Sequence, residues 1–288
     1  MARQDALSIK LTDGTTPADL MEQYAGLIEN IEATAVSIQL KNYNLSGDPM
    51  GGSVEAKRFE NSVSVAYGTA RTAGAGVDVQ TEPVVINLNV DREIVEEIEA
   101  KDIKLYGIPA MLQRRAQNHK SAMKRELDTA FFTEAYVTGT ATTCAGATWD
   151  IKLEELAVAL ETTSNTYVDG VDRSMMAFVV TPSVHSLLRL QIDAMPATDN
   201  AYAKGAVGLY HGVPIWVSNH LPKGVGQVVN AFVMAFGSVA QPVAISQPYT
   251  DERIPLSNSH AVELFYNYGT KAVTPDLIRY VGDTYSAS

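Results

Sequence analysis

The residues of this chain that could do chemistry are few and scattered. The stretch HGVPIWVSNHLPKG, His211 to Gly224, sets two histidines around Trp216 and a Ser218-Asn219 pair, types suited to metal binding or proton transfer. FVVTPSVHSLLRL adds Ser183 and His185, a hydroxyl and a base of the kind used in nucleophilic catalysis. Cys144 supplies the one thiol, and Gly74 and Gly76 invite comparison with a phosphate loop.

Spacing argues against each. His211 and His220 stand at opposite ends of what reads as a strand, roughly 30 Å apart at about 3.3 Å per residue, so they share a metal only if that strand folds back. Ser183 and His185 fall two apart on one short helix, which points their side chains in different directions. The Gly74-Gly76 segment lacks the dinucleotide fingerprint and the P-loop Lys-Ser/Thr ending, and it opens no helix. A single cysteine excludes an intrachain disulfide framework and reads as a free thiol in a reducing compartment. His119 lies on a helical apolar stripe and reads as a packed histidine. No catalytic residue, metal site or cofactor is expected.

The elements that would have to position a site are more informative. The chain has 288 residues, 46% hydrophobic and 19% charged, enough for one large domain or two smaller ones with a real core. Its formal net charge of −11 argues against tight binding to a phosphate backbone, which relies on lysine and arginine. The N-terminal MARQDALSIK has no apolar run of signal-peptide length, so secretion by that route is not expected. GQVVNAFVMAFGSVAQPVAI has the length of a membrane span, but Gln227, Asn230, Gln241 and Pro242 interrupt it, and it reads as a buried strand followed by a turn.

Thr16, Pro17 and Asp19 open a helix whose Leu20, Tyr24, Leu27, Ile28 and Ile31 share a face. From Val54 to Val90 the period becomes two: Val63, Val65 and Tyr67 alternate on the way out, and Val84, Ile86, Leu88 and Val90 on the way back. GTARTAGAGVDVQTEP lies between them, so the segment reads as a long hairpin with a tip of small residues. A two-stranded ribbon is marginal in water. This one is expected to borrow its core, either from its own domain or, on the sharper reading, from a neighbouring chain.

VDREIVEEIEAKDIKLYG gathers Glu93, Glu96, Glu97 and Glu99, whereas the next segment carries Arg114, Arg115, Lys120, Lys124 and Arg125. From Pro109, the residues Leu112, Ala116, His119, Met123, Leu127 and Phe131 recur at helical steps, predicting a helix of about seven turns. Facing blocks of opposite charge suit subunits that must find one register. After YVTGTATTCAGATWD the pattern becomes α/β. Asp150 caps a helix with Leu153, Leu156, Ala157 and Leu160 on one face, MMAFVVTP is a buried strand, and Thr181-Pro182 starts a helix with Val184, Leu187 and Leu188. Residues 207–219 read as two short strands around Gly212, with Ile215 and Val217 on one face and Trp216 and Ser218 on the other, before Pro222 and Gly224 turn the chain.

Taken in order, the capped helix, the Gly-tipped hairpin, the long helix ending LDTAFFTEA, then FVVTPSVHSLLRL, GLYHGVPIWVSNHLP, AFVMAFGSVAQPVAIS and YNYGTKAVTPDLIRYV resemble the major capsid protein of tailed bacteriophages over nearly the whole chain. The resemblance implies an α+β, Hong Kong 97-type coat fold. Its parts would be an N-arm (1–45), an extended E-loop (46–90), a peripheral domain with a spine helix (91–145), an axial domain (146–260) and C-terminal strands returning to the peripheral domain (261–288). The E-loop of this family lies on an adjacent subunit, which makes Lys57, Arg58, Tyr67, Gly68, Arg71, Gly74 and Gly76 interface candidates. Certain members crosslink an E-loop lysine to a neighbour's asparagine; Lys57 is the one lysine of this segment, and no partner is identified. Several members begin with a charged scaffolding region; nothing of that type precedes Asp5 to Leu11, so a separate scaffold, or a form already competent to assemble, is expected.

The expected function is therefore that of a non-enzymatic shell protein forming hexamers and pentamers of an icosahedral head around double-stranded DNA. It would sit in the virion after assembly in the bacterial host cytoplasm. Partners would be other copies of the chain, a scaffolding protein and portal, decoration proteins, and DNA touched weakly and non-specifically, but no membrane. Arg114, Arg115 or Lys120 is expected to meet acids of the 91–99 segment (Glu93, Glu96, Glu97) or of the N-arm on an adjacent chain. An encapsulin-type compartment shell is the alternative within the same fold, and a monomeric hydrolase or binding module the unrelated one.

Overall fold

A computed structural model describes residues 35–62, 66, 81–99, 108–193, 208–224, 227–245, 249–251 and 259–284. The helix expected between Thr16 and Ile31, the alternating Val63, Val65 and Tyr67, and the Gly-rich tip lie outside the described residues. In chain order the elements are α1 (Val36–Leu40), β1 (Ser53–Phe59), β2 (Thr81–Asn87), β3 (Val90–Glu99), α2 (Ile108–Thr138), β4 (Thr140–Ala141), α3 (Trp149–Glu161), β5 (Met176–Val180) and α4 (Pro182–Asp193). Then follow β6 (Leu209–Tyr210), β7 (Val213–Val217), β8 (Lys223–Gly224), β9 (Gln227–Ala235), β10 (Val239–Ala240), β11 (Val243–Ile245), β12 (Tyr249–Asp251), β13 (Ser259–Tyr268), β14 (Lys271–Ala272) and β15 (Ile278–Thr284).

These elements fall into two compact units, one comprising residues 1–39, 87–128 and 242–269, the other 40–86, 129–241 and 270–288. The closing residues 261–288 do not travel as one piece: β13 belongs to the first unit and β15 to the second.

In the first unit β13 is central. It pairs antiparallel with β3 over ten residues, Ser259 opposite Glu99 through Tyr268 opposite Val90, and on its other edge with β11 and β12. Because side chains alternate along a strand, Arg92, Ile94 and Glu96 share one face while Asp91, Glu93, Val95 and Glu97 share the other. On the first face Ile94 and Glu96 are half-buried while Arg92 stays exposed, and the second face is exposed to solvent. The strict alternation of Val84, Ile86, Leu88 and Val90 does not make one strand, since β2 ends at Asn87 and Val90 opens β3. Residue 87 is also where the chain leaves the second unit.

In the second unit a mixed sheet runs in the order β4-β15-β9-β5-β7-β6, with β8 joined to β9. Every residue of β5 is buried, because the sheet is covered on both faces. Met176, Phe178 and Val180 pack with Leu153, Leu156 and Leu160 of α3 and with Val184 and Leu188 of α4. On the opposite face Phe132 of α2 stacks on Phe232 of β9, ring centroids 6.0 Å apart, and Tyr136 meets Tyr280 of β15 at 5.0 Å. A strand buried on both faces reads as a run of apolar residues, which is why MMAFVV shows no alternation. β5 and β7 are parallel, so a crossover must join them, and α4 lies in that connection.

Three local expectations need correction. Thr148, not Asp150, holds the N-cap position of α3; Asp150 stands in the first turn, where its charge still favours the positive end of the helix dipole. Leu187 of α4 is 46% exposed. The helix offers the sheet only the narrow Val184-Leu188 stripe, and Leu187 stands about 80° round from its centre at about 3.6 residues per turn. The reversal assigned to Pro222 and Gly224 comes later, since Lys223 and Gly224 already pair with Val228 and Gln227.

Truncating Leu156, fully buried between helix and sheet, should cost about 2–5 kcal/mol. Val158→Ala, two positions on and 44% exposed, should change stability by less than about 0.5 kcal/mol. Urea unfolding of the two variants against the parent chain, followed by far-ultraviolet circular dichroism, checks the contrast.

Candidate assembly interface

The histidines that suggested chemistry have other roles. His211 and Gly212 form the two-residue turn between β6 and β7, at φ of 48° and 88°. Both values lie in the left-handed region that matches a tight hairpin's twist, and the His211 ring lies tilted against that of Tyr210 with centroids 4.4 Å apart. The rest of HGVPIWVSNHLPKG is scaffold: Val213 and Ile215 enter the core while Val217, at the strand end, is exposed. Among the described residues, no group of three or more His, Cys, Asp or Glu is placed to hold a metal ion. The Cys144 thiol is pushed up to about 11, chiefly by burial and then by Glu155 beside it.

The interface candidates divide by the unit that carries them. In the second unit β1 and β2 form a two-stranded sheet, as expected of the hairpin's base. Its inner face is seated on its own chain, where Val54, Ala56 and Ile86 cluster with Ala240 and Val273. The base therefore takes its core from its own domain, the first of the two expected sources. Lys57, with Phe59 and Val85, lies on the exposed outer face. Arg58 points the other way, its Nη2 donating to both oxygens of Asp276 at 2.7 and 2.6 Å. Tyr67, Gly68, Arg71, Gly74 and Gly76 lie outside the described residues.

In the first unit Glu93 and Glu97 are exposed together with Val95, and Phe265 lies opposite Glu93 in the β3-β13 ladder and is likewise exposed. Glu96 faces inward, its Oε2 3.1 Å from Nε2 of the buried His119 on α2. Arg114, Arg115 and Lys120 are on α2, and their side chains lie outside the described residues.

Glu126 is the residue that patterning missed. Its carboxylate accepts from Tyr266 Oη at 2.6 Å and Tyr268 Oη at 3.0 Å, and from Nε of Arg92. Burial of this carboxylate opposes ionisation, but the hydrogen bonds from Tyr266, Arg92 and Tyr268 outweigh it and hold the group below the usual range. The tyrosines respond in the opposite sense: burial first, then Glu126, pushes Tyr268 up to about 12 and Tyr266 higher still. Arg92 meets Glu126 and Glu96 meets His119, so α2 and β3 run antiparallel. The four-residue step on the strand, about 13 Å, nearly matches the seven-residue step on the helix, about 10 Å. The Tyr-x-Tyr spacing on one strand face was the available signal, but the acid those residues share stands 140 residues away from Tyr266.

No family model and no curated protein matches the chain. Solved structures do. A structure of Mycobacterium phage Che8 superposes with a TM-score of 0.62 at 18% identity, covering 86% of this chain and 91% of that one. The capsid structure of the cyanophage P-SCSP1u gives 0.61 at 15% identity over 88% and 89%. The capsid of a native GTA particle gives 0.57 at 12% identity over 86% and 89%.

The Glu126 cluster carries a pH dependence. A carboxylate whose folded value is depressed adds stability that is complete above its unfolded value of about 4.3 and disappears as the pH falls through the folded value. Glu126→Gln should cost about 1–3 kcal/mol at neutral pH, from weakened charged hydrogen bonds. That difference should begin to shrink below about pH 4.3 and vanish only at lower pH, once the carboxyl of the folded parent chain is itself protonated. Urea midpoints measured from pH 3 to 7 test both statements.

Proposed function

We propose that this chain, whose α+β fold is the Hong Kong 97-type coat fold, is the major capsid protein of a tailed bacteriophage. The observation that carries the reading is the likeness to phage and GTA capsid structures across nearly nine-tenths of the chain and of its counterparts. In this reading the working parts are surfaces rather than a reactive centre. Copies of the chain close into hexamers and pentamers of an icosahedral shell around double-stranded DNA. A scaffolding protein and portal act during assembly in the bacterial host cytoplasm, and decoration proteins can follow.

Two exposed faces support this reading physically. The outer face of the hairpin base presents Lys57, Phe59 and Val85, and the outer face of the β3-β13 ladder presents Asp91, Glu93, Val95, Glu97 and Phe265. The second mixes apolar area with negative charge, and the first sets Lys57 and the half-exposed Glu55 beside apolar Phe59 and Val85. That combination suits an interface whose affinity comes from burial and whose register comes from charge. A stable subunit contact needs roughly 1,200–2,000 Å² in total, and the arm, hairpin and long helix provide separate places to find it. The net charge of −11 fits a wall that holds DNA without gripping it. The encapsulin alternative has no observation of its own in its favour.

Expression of the gene together with its neighbours, followed by sedimentation and electron microscopy, should yield closed shells; an exclusively monomeric product would count against the reading. Reversing charge at Arg114, Arg115 and Lys120 together should lower particle yield at least about tenfold while circular dichroism stays unchanged, because like charges then face across the contact. Unchanged yield would remove these three from the interface.

A further inference from the structure

The hairpin's root holds a second attachment that the coat reading does not account for. Beyond the apolar seat of Val54, Ala56 and Ile86, each strand sends one polar residue to the same place: the half-buried Arg58 from β1 and Glu82 from β2, which shares the strand face of Ile86 but stays exposed to solvent. The loop at 164–170 and the turn at Pro275–Leu277 receive them. Arg58 bonds both oxygens of Asp276, and its guanidinium lies 3.9 Å from the centre of the Tyr167 ring. The Tyr167 hydroxyl donates to Glu82 Oε2 at 2.9 Å, which raises that phenol's proton affinity, and Asn165 Nδ2 donates to Asp276. The Asn61 amide donates to Thr166 O at 3.0 Å, closing the contact along the backbone.

The receiving loop is built to hold its shape. Asn165 Oδ1 accepts from the amides of Tyr167 and Val168, both at 2.8 Å, while the Asn165 amide donates to Val168 O at 2.7 Å. Ser164 Oγ meets Asp169 Oδ1 at 3.0 Å. Gly170, at φ 82°, closes the turn, and a Cβ there would stand 3.0 Å from Glu161 O. The Arg58 side chain is only 11% exposed and that of Asp276 only 23%, so water competes weakly for their bond.

We infer that Arg58, Asp276, Asn165, Tyr167 and Glu82 form a latch that fixes the direction in which the hairpin leaves its subunit. The argument is geometric. The apolar seat at Val54, Ala56, Val84 and Ile86 leaves the angle of the ribbon soft, because burial is non-directional. The polar contact at Glu82 lies four residues further out, about 13 Å along the strand, and two separated points define a line. Directional hydrogen bonds and a stacked guanidinium then set the angle about that line. The consequence rests on the coat reading: in a shell, that direction decides where the rest of the hairpin meets the next copy. These residues act as positioning residues, because they tie the hairpin root to the 164–170 loop and the 275–277 turn.

The test uses the full-length chain before assembly and then the assembled particle. Hydrogen exchange on Arg58→Gln should speed the amides of 53–59 and 81–87 at least about tenfold while those of 176–180 keep the parent rate. Particles grown from this variant should spread in diameter where the parent gives one size. Parent-like exchange in a folded Arg58→Gln chain overturns the latch, and fast exchange with a parent-like diameter distribution overturns its positioning role. If Arg58→Gln also loosens 176–180, Tyr167→Phe decides: it keeps the ring and removes only the hydroxyl, and unchanged exchange at 81–87 overturns the proposal. Failure of the parent chain to form shells would speak against the coat reading alone, since the exchange experiment needs no assembly.

Discussion

A two-stranded ribbon has two faces and can bury only what it lies on, and that constraint governs the paired strands β1 and β2. At the root the difficulty is met within the chain: Val54, Ala56 and Ile86 rest on Ala240 and Val273, and Arg58 is tied to Asp276. The opposite face of the same strands keeps Lys57, Phe59 and Val85 in solvent. Toward the tip the sequence turns to glycine, alanine and threonine, which offer little area to bury. In the coat reading proposed above, another copy of the chain supplies the missing area.

The remainder of the molecule is ordinary in the physical sense, and this makes the exposed faces informative. The second unit covers both sides of its sheet, with α3 and α4 on one and aromatic residues of α2 on the other, so β5 and much of β9 are sealed from water. The first unit uses a different device. Glu126, Tyr266, Tyr268 and Arg92 fill the space between helix and strands with a charged hydrogen-bonded cluster, and the buried His119 lies beside Glu96. Polar contacts of this kind fix register more tightly than apolar ones, because they tolerate little displacement.

What the sequence made legible follows from this. The long helix was readable because Leu112 to Phe131 keep a helical period over many turns, and β5 because a doubly covered strand has no polar residues to alternate. The hairpin's existence was readable from its period of two, and the coat fold from the order of several segments. Contacts between distant segments were not readable. Arg58 and Asp276 are 218 residues apart, and nothing in KRF or TPDL announces the other. Arg58 looked like a surface cation of an interface strand, yet alternation on a strand with one seated face turns it inward. Val84 to Val90 misled for the complementary reason: the alternation is real, but the chain changes units in its midst. Leu187 was missed by about 80° of helix rotation and Asp150 by two residues, differences decided by how narrow a helix contact is and where its first turn begins.

The central claim, proposed from the small residues between the seated root strands, that this stretch finds its support on another copy, is tested most directly by a side-chain-resolution reconstruction of the assembled particle. The account predicts continuous density for residues 60–80 lying against an adjacent subunit, with the 58–276 contact intact at the root. Density for the same residues packed wholly on their own subunit, clear of every neighbour, would contradict it.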